Sequence, residues 1–366
     1  MGGFPKRQID SSSSAPGAPA CDAATRLLAA EAMLHRLEAL GKEMDGTARA
    51  EDIECVHRMR VASRRLRTAL ELFGDCLPRR RLKEWAKEVR RITRSLGRAR
   101  DADVQVLFIE QFLAGVEDGK ARPGLARLLL RLRQHRAALQ QSVLKMVRRV
   151  GESGLIDRMT DSLLRLRARQ RLERAEDAPP LTDALLQRAS QTIAARLEDL
   201  LTYEPFLRQP QAADRHHAMR IAAKHLRYAM EIFEPLLERA LAEPVRWARK
   251  LQTVLGEIHD CDVWLERLPE FLNQERQRAL EYSGSARGQR RLHRGIHLLE
   301  QACAGRRREL FDRLGQEWAK CAHKRVWTKM LKALSQHAPC GQAGPEAPAS
   351  AAPADGEAQP PAEAGP

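Results

Sequence analysis

Apolar residues recur every three to four positions along most of the chain. Val56, Met59, Ser63, Leu66, Leu70 and Phe73 step by 3, 4, 3, 4, 3, and Leu82, Trp85, Val89, Ile92 and Leu96 continue in the same rhythm. Each set is one stripe along a helix and predicts the face turned to a core. Runs alternating Val, Ile, Thr or aromatics, which would signal strands, are missing. The pattern predicts helices near 22–43, 50–73, 79–96, 102–116, 122–150, 154–175, 181–203, 212–233, 240–255, 261–279, 286–314 and 316–336. Gly74 and Gly97 fall just past helical runs, where C-terminal caps belong, and Pro78, Pro123 and Pro235 punctuate others. Residues 1–20 and 338–366 are Ser/Pro/Gly/Ala-rich, without period, and are expected to be disordered. The stretch Glu176-Asp-Ala-Pro-Pro180 reads as a linker.

A duplication underlies this pattern. HRMRVASRRLRTALELF at 57–73 and HAMRIAAKHLRYAMEIF at 217–233 share nine of 17 positions, 160 residues apart. RSLGRARDADV at 94–104 and TVLGEIHDCDV at 253–263 share five of 11, 159 apart and in the same order. That period is too long for a solenoid. It predicts an all-α fold of two pseudo-symmetric helical bundles, residues 21–177 and 178–337, around a basic central groove or pore.

The repeat also carries a second stripe. His57, Arg60, Arg64 and Arg67 step by 3, 4, 3 beside the apolar face, and His217, Arg220, Lys224 and Arg227 repeat the arrangement. Like charges one turn apart destabilise a helix, by roughly a few tenths of a kcal/mol per pair, unless an anion lies along them. The next helix adds Lys87, Arg90, Arg91 and Arg94, with Arg246, Arg249 and Lys250 at the positions corresponding to Lys87, Arg90 and Arg91. Planar guanidinium forks grip phosphate oxygens bidentately, and imidazole adds one or two donors.

Composition sharpens the choice of ligand. The chain of 366 residues carries 63 Lys and Arg against 48 Asp and Glu, a net +15. The last 29 residues hold four acids and no Lys or Arg, so the rest of the chain stands at +19 once those four are set aside. Such a field draws a polyanion. Aromatics are only 4%, which counts against modules that stack bases. Seven scattered Cys without a C-x-x-C pair argue against a disulfide framework or zinc ribbon, and Cys55, Cys76 and Cys261 are expected as small buried hydrophobes. No 18-residue apolar run and no apolar leader segment occur, and Lys6 breaks the myristoylation pattern, so a soluble, reducing, cytoplasmic setting with no membrane contact is expected.

The paired motifs VHRMRVASRRLRTALELF and HHAMRIAAKHLRYAMEIFEP, with LGRARDADV and LGEIHDCDV, resemble the CHAD family, the conserved histidine α-helical domain, over roughly residues 22–335. The resemblance implies a pseudo-symmetric pair of helical bundles and a basic surface that binds inorganic polyphosphate. It also implies association with polyphosphate or polyhydroxyalkanoate granules. No E-x-E-x-K motif marks the triphosphate-processing CYTH domain to which some members are fused, so the sequence resembles the stand-alone form. His225 replaces Arg65, and Thr253 and Glu257 replace Arg94 and Arg98, so the second half offers phosphate fewer cations on that helix.

Other chemistry has weaker support. The D-x-D pairs Asp101/Asp103 and Asp260/Asp262 read as helix N-caps or as partners orienting Arg, ahead of a Mg²⁺ site. Adjacent His216 and His217 cannot share a helix face, and no carboxylate or Cys stands at ligand spacing, so no metal and no cofactor are expected. Arg306-Arg307-Arg308, the Arg127/Arg131/Arg133/Arg136 series and Arg290/Arg291/His293/Arg294 read first as solvated faces. With no phosphate loop, nucleophile elbow or catalytic carboxylate pair, the expectation is a binder rather than an enzyme. Nucleic acid is the alternative ligand and a granule scaffold the alternative role.

Overall fold

The structure, a computed structural model, describes residues 21–49, 52–174 and 181–337, with only the backbone for Arg287 and His337. The expected disordered ends and the linker at 176–180 lie outside the described residues. Ten α-helices follow in order: α1 (Ala23–Lys42), α2 (Met44–Arg49), α3 (Ile53–Leu72), α4 (Arg79–Ala114), α5 (Arg122–Glu152), α6 (Leu155–Glu173), α7 (Asp183–Leu201), α8 (Ala213–Ser283), α9 (Arg290–His323) and α10 (Val326–His337). No strand occurs among the described residues. None of these helices is long and apolar enough to cross a membrane.

The apolar stripes behave as the sequence requires. Val56, Met59, Ser63, Leu66, Leu70 and Phe73 are all buried, as are Trp85, Val89, Ile92 and Leu96. Helix ends are where the sequence misleads. Gly97 caps nothing: α4 runs through it, because the buried stripe continues through Ala99, Ala102 and Ile109. Core burial outweighs the roughly 1 kcal/mol that an interior glycine costs. Similarly, α8 joins three predicted helices, with a bend at Leu237 (φ −131°, ψ 32°) two residues past Pro235. The expected final helix at 316–336 divides at Arg325, whose φ of 52° is left-handed.

One hydrophobic cluster unites α1, α3, α6, α7 and α10 with one end of α4, α5, α8 and α9. A second gathers the far ends of α4, α5, α8 and α9 around Ile109, Leu125, Trp264, Phe271 and Ile296. There α5 and α9 cross at Gly124 and Gly295. A methyl on Gly124 would run into the Leu292 carbonyl, and one on Gly295 into that of Ala121.

Two contacts join residues 160 apart. Phe73 and Phe233 meet edge to face, ring centroids 6.0 Å apart. Asp22 caps α1 by accepting from the Thr25 N–H, Thr182 caps α7 by accepting from Leu185, and the Thr182 hydroxyl donates to Asp22.

The cysteine reading needs one correction. Cys76, expected as a free buried hydrophobe, is disulfide-bonded to Cys21, with Cα atoms 6.1 Å apart. The start of α1 packs beside the 3₁₀ turn after α3, a proximity that spacing along the chain does not reveal. Cys55 and Cys261 are free and buried, as expected.

Candidate anion-binding cleft

The cationic stripe of α3 and that of α8 meet because their neighbouring apolar stripes share the first core. Between α3, α4, α8 and α9 lies a cleft of ≈550 Å³. His57, Arg60 and Arg64 reach it from α3, and Arg220 from α8. Arg100 and Asp101 of α4, Glu257, His259 and Asp260 of α8, and Arg306 of α9 complete the charged wall. Val104, Gln105, Phe108, Val263, Trp264 and Leu310 form the remainder, with Cys261.

The guanidiniums divide into paired and unpaired. Arg60 donates to Asp101 at 3.2 Å, Arg100 to Glu54 at 3.2 Å and Arg306 to Glu257 at 2.8 Å. Arg64, Arg220 and Lys224 form no ion pair among the described residues; Arg64 lies over the Tyr228 ring, 5.7 Å from its centroid. The Nε atoms of Arg60 and Arg220 and Nδ1 of His57 are buried without a hydrogen-bond partner. Desolvation, reinforced by Arg64, Arg67 and Arg220, holds Lys224 down at about 7. Arg220 and Arg64 are lowered, again chiefly by burial, with Arg60 contributing to both. Burial first and neighbouring cations next lower His57, His217 and His259, the last to about 4. His217 and His259 face each other with Nδ1 atoms 3.1 Å apart, so at most one of those nitrogens carries a proton. All these shifts have one sign, set first by burial and second by neighbouring cations.

His217, Lys224 and the other expected site residues do not line the cleft. Arg67 pairs with Glu71 at 3.3 Å and faces Lys224. Arg227 is buried, donating to Gln252 and Glu231. Lys87, Arg90, Arg91 and Arg94 are exposed on α4 away from the cleft lining, Arg91 pairing with Glu88. Arg246, Arg249 and Lys250 are exposed as well; Lys250 pairs with Glu317 at 2.5 Å. Arg249 borders a second cavity of ≈790 Å³ between α1, α3 and α8, whose wall also includes Arg36, Arg65 and Glu231. His57 lines both cavities.

The D-x-D residues are not N-caps, since both pairs stand inside continuous helices. They hold arginines: Asp101 takes Arg60, Asp103 takes Arg136 at 2.5 Å, and Asp262 takes Arg307. Asp260 has no such partner; desolvation, offset by Arg220, lifts it to about 6. Among the described residues, one group of three potential metal ligands converges, Cys21, Asp75 and Cys76, at the disulfide and not in the cleft.

Pattern reading missed Arg100, His259, Gln105, Phe108, Trp264 and Arg267. A signal existed. Arg100 and His259 are equivalent positions of the second motif pair, and continuing that pair at the same offset matches Val104 with Val263, Gln105 with Trp264 and Phe108 with Arg267. These residues engage crosswise: Phe108 stacks on Trp264, centroids 5.3 Å apart, and Arg267 donates to Gln105.

The fold is all-helical among the described residues, and His57, Arg60 and Arg64 of one helix share a cleft with Arg220 of another. The CHAD domain profile matches residues 31–269, and the chain belongs to the CHAD family. Its fold is similar to the crystal structure of the CHAD domain from the plant Ricinus communis, with a TM-score of 0.51 and 23% identity, over 78% of this chain and 97% of that one. No curated protein matches the chain.

Proposed function

We propose that this protein binds inorganic polyphosphate in the cleft without turning it over. The observation that carries this reading is the trio Arg64, Arg220 and Lys224, desolvated cations that form no ion pair among the described residues: Arg64 and Arg220 line the cleft, and Lys224 stands close enough to both to be lowered by them. A chain of phosphates supplies the missing charge. We read residues 21–177 and 178–337 as duplicated halves around a basic central groove, supported by the contacts between residues 160 apart. Lys87, Arg90, Arg91, Arg94, Arg246, Arg249 and Lys250 extend the basic surface for a long chain leaving the cleft. Cytoplasmic residence and attachment to polyphosphate or polyhydroxyalkanoate granules follow from this ligand.

Binding without catalysis is supported by the wall's chemistry. Burial, with Asp262 and Asp260, pushes Cys261 up to about 11, so it is no thiolate near neutrality. Titration with long-chain polyphosphate at several salt concentrations tests the reading. Counterion release by five or six cations gives a log–log slope of about −4 to −5, a loss of roughly 10²–10³ between 50 and 200 mM salt. A flat response, displacement by duplex DNA at equal phosphate, or release of orthophosphate overturns it.

Lys224 gives the reading a pH signature. The free amine titrates at about 7, against an ordinary 10.5, and is largely neutral at pH 8. Phosphate beside it favours the ammonium, so binding at pH 8 takes up close to one proton, and affinity falls as pH rises from 7 to 9. Stability without ligand runs the opposite way. The unfolded chain binds the extra proton between pH 7 and 10.5, so the cost of burying this residue's charge fades, and stability rises, as pH rises through that window. Calorimetry in two buffers of different ionisation enthalpy reads the uptake, and Lys224→Met is expected to remove it.

A further inference from the structure

The cleft has a part that a phosphate chain does not use. One wall carries five arginines beside Asp101, Glu257 and Asp260, but the adjoining wall is Val104, Phe108, Val263, Trp264 and Leu310. Polyphosphate is hydrated and charged along its whole length. Pressing it on an apolar surface removes water from the anion and returns no hydrogen bond. Clefts of a few hundred Å³ that combine an apolar face with a few placed polar groups take ligands having both characters.

The geometry of this wall is specific. Asp101, Val104, Gln105 and Phe108 lie on one face of α4, about 10 Å along its axis at 1.5 Å per residue. The charged end of that face meets Arg60, and its far end is an aromatic ring already packed against a second, Trp264. Gln105 stands between them. Its Oε1 accepts from Arg267 Nη1, which leaves the amide NH₂ as the group able to donate to a ligand.

We propose that the cleft accepts a nucleoside polyphosphate, with its phosphates among Arg60, Arg64 and Arg220 and its base on the Val104/Phe108 wall, where Gln105 donates to a ring acceptor. This rests on the polyphosphate reading for the phosphate half and adds a base-recognition half. It also corrects the inference from low aromatic content: few aromatic residues exist, but two are stacked beside these cations.

The test is calorimetric titration with ATP and with tripolyphosphate, in magnesium-free buffer containing chelator. Charge alone favours tripolyphosphate, which has one more ionisable group. Base stacking reverses the order, and ATP is expected to bind roughly tenfold tighter. Phe108→Ala should bring ATP to the level of tripolyphosphate or below it, with tripolyphosphate affinity kept within about twofold. Gln105→Ala, which leaves the aromatic stack in place, should weaken ATP alone. ATP binding no tighter than tripolyphosphate in the unaltered protein overturns this inference and leaves the polyphosphate reading standing. If ATP, tripolyphosphate and long-chain polyphosphate all fail to bind, both fall. If Phe108→Ala does not fold, the ranking in the unaltered protein and the Gln105→Ala result decide.

Discussion

Replacing Arg60 and Arg220 together by alanine is expected to weaken polyphosphate binding by at least about 100-fold while leaving the protein as stable as before, or more so. Each hydrogen bond from a charged donor contributes roughly 1.5–3 kcal/mol, so losing two guanidiniums removes about 3–6 kcal/mol of binding. The stability half of the prediction separates this site from a structural cluster. Arg60 has a partner, Asp101, but that carboxylate is 64% exposed and returns to water when Arg60 is gone. Arg220 forms no ion pair among the described residues; its loss relieves the positive neighbours Arg60, Arg64 and Lys224, and Asp260, which Arg220 holds down and which already stands at about 6, takes up a proton instead. Titration with polyphosphate and thermal unfolding on the same samples read both halves. Unchanged affinity sinks the assignment; a large drop in Tm shows instead that the two arginines hold the fold.

Glu231→Ala is expected to do the reverse, destabilising the protein by about 3–5 kcal/mol with a fall in Tm of the order of 10 °C. Glu231 accepts from Arg65 of α3 at 3.3 Å, from Arg227 at 2.6 Å and from Arg249 at 3.4 Å. It is 11% exposed, as is the Arg227 side chain, so this anion neutralises a junction that would otherwise be all cation. It also offsets the lowering of the buried Arg36, which burial and Arg65 bring down to about 10. Without it, Arg227 is left desolvated near Arg64. Glu231→Gln, which keeps acceptors and loses charge, should fall between. Polyphosphate added to the alanine variant should recover part of the lost Tm, since a ligand of the folded state stabilises it by mass action. Full stability of the alanine variant without ligand would show that the junction does not need the charge.

The two variants frame the design of the cleft. The cations in and around it differ in how they are balanced. Arg227 and Arg65 are neutralised by an internal carboxylate and belong to the scaffold. Arg64, Arg220 and Lys224 have no such balance, which is why they, rather than the exposed arginines of α4, are the centre of the candidate site. Arg227 was legible as a member of the stripe, yet the same helical spacing that aligns it with Arg220 also places Glu231 one turn beyond it, where it closes the pair.

What the sequence determined by itself is local and periodic. The apolar stripe from Val56 to Phe73, the cationic stripe beside it and their echo 160 residues on follow from side chains three and four apart on a helix, a spacing every helix imposes. The all-helical class, the CHAD resemblance and the cations of α3 and α8 were therefore readable before any packing was known. Tertiary structure alone decided what those periods do not encode. It carried α4 through Gly97 because burial of Ala99, Ala102 and Ile109 rewards continuation. That placed Asp101 within reach of Arg60 instead of at a helix start. It brought Cys21 to Cys76 and Phe108 to Trp264, and it left Lys87, Arg90 and Arg94 facing water. Those outcomes depend on how helices far apart in sequence cross, which is fixed by the whole shared core and not by any window of residues within it.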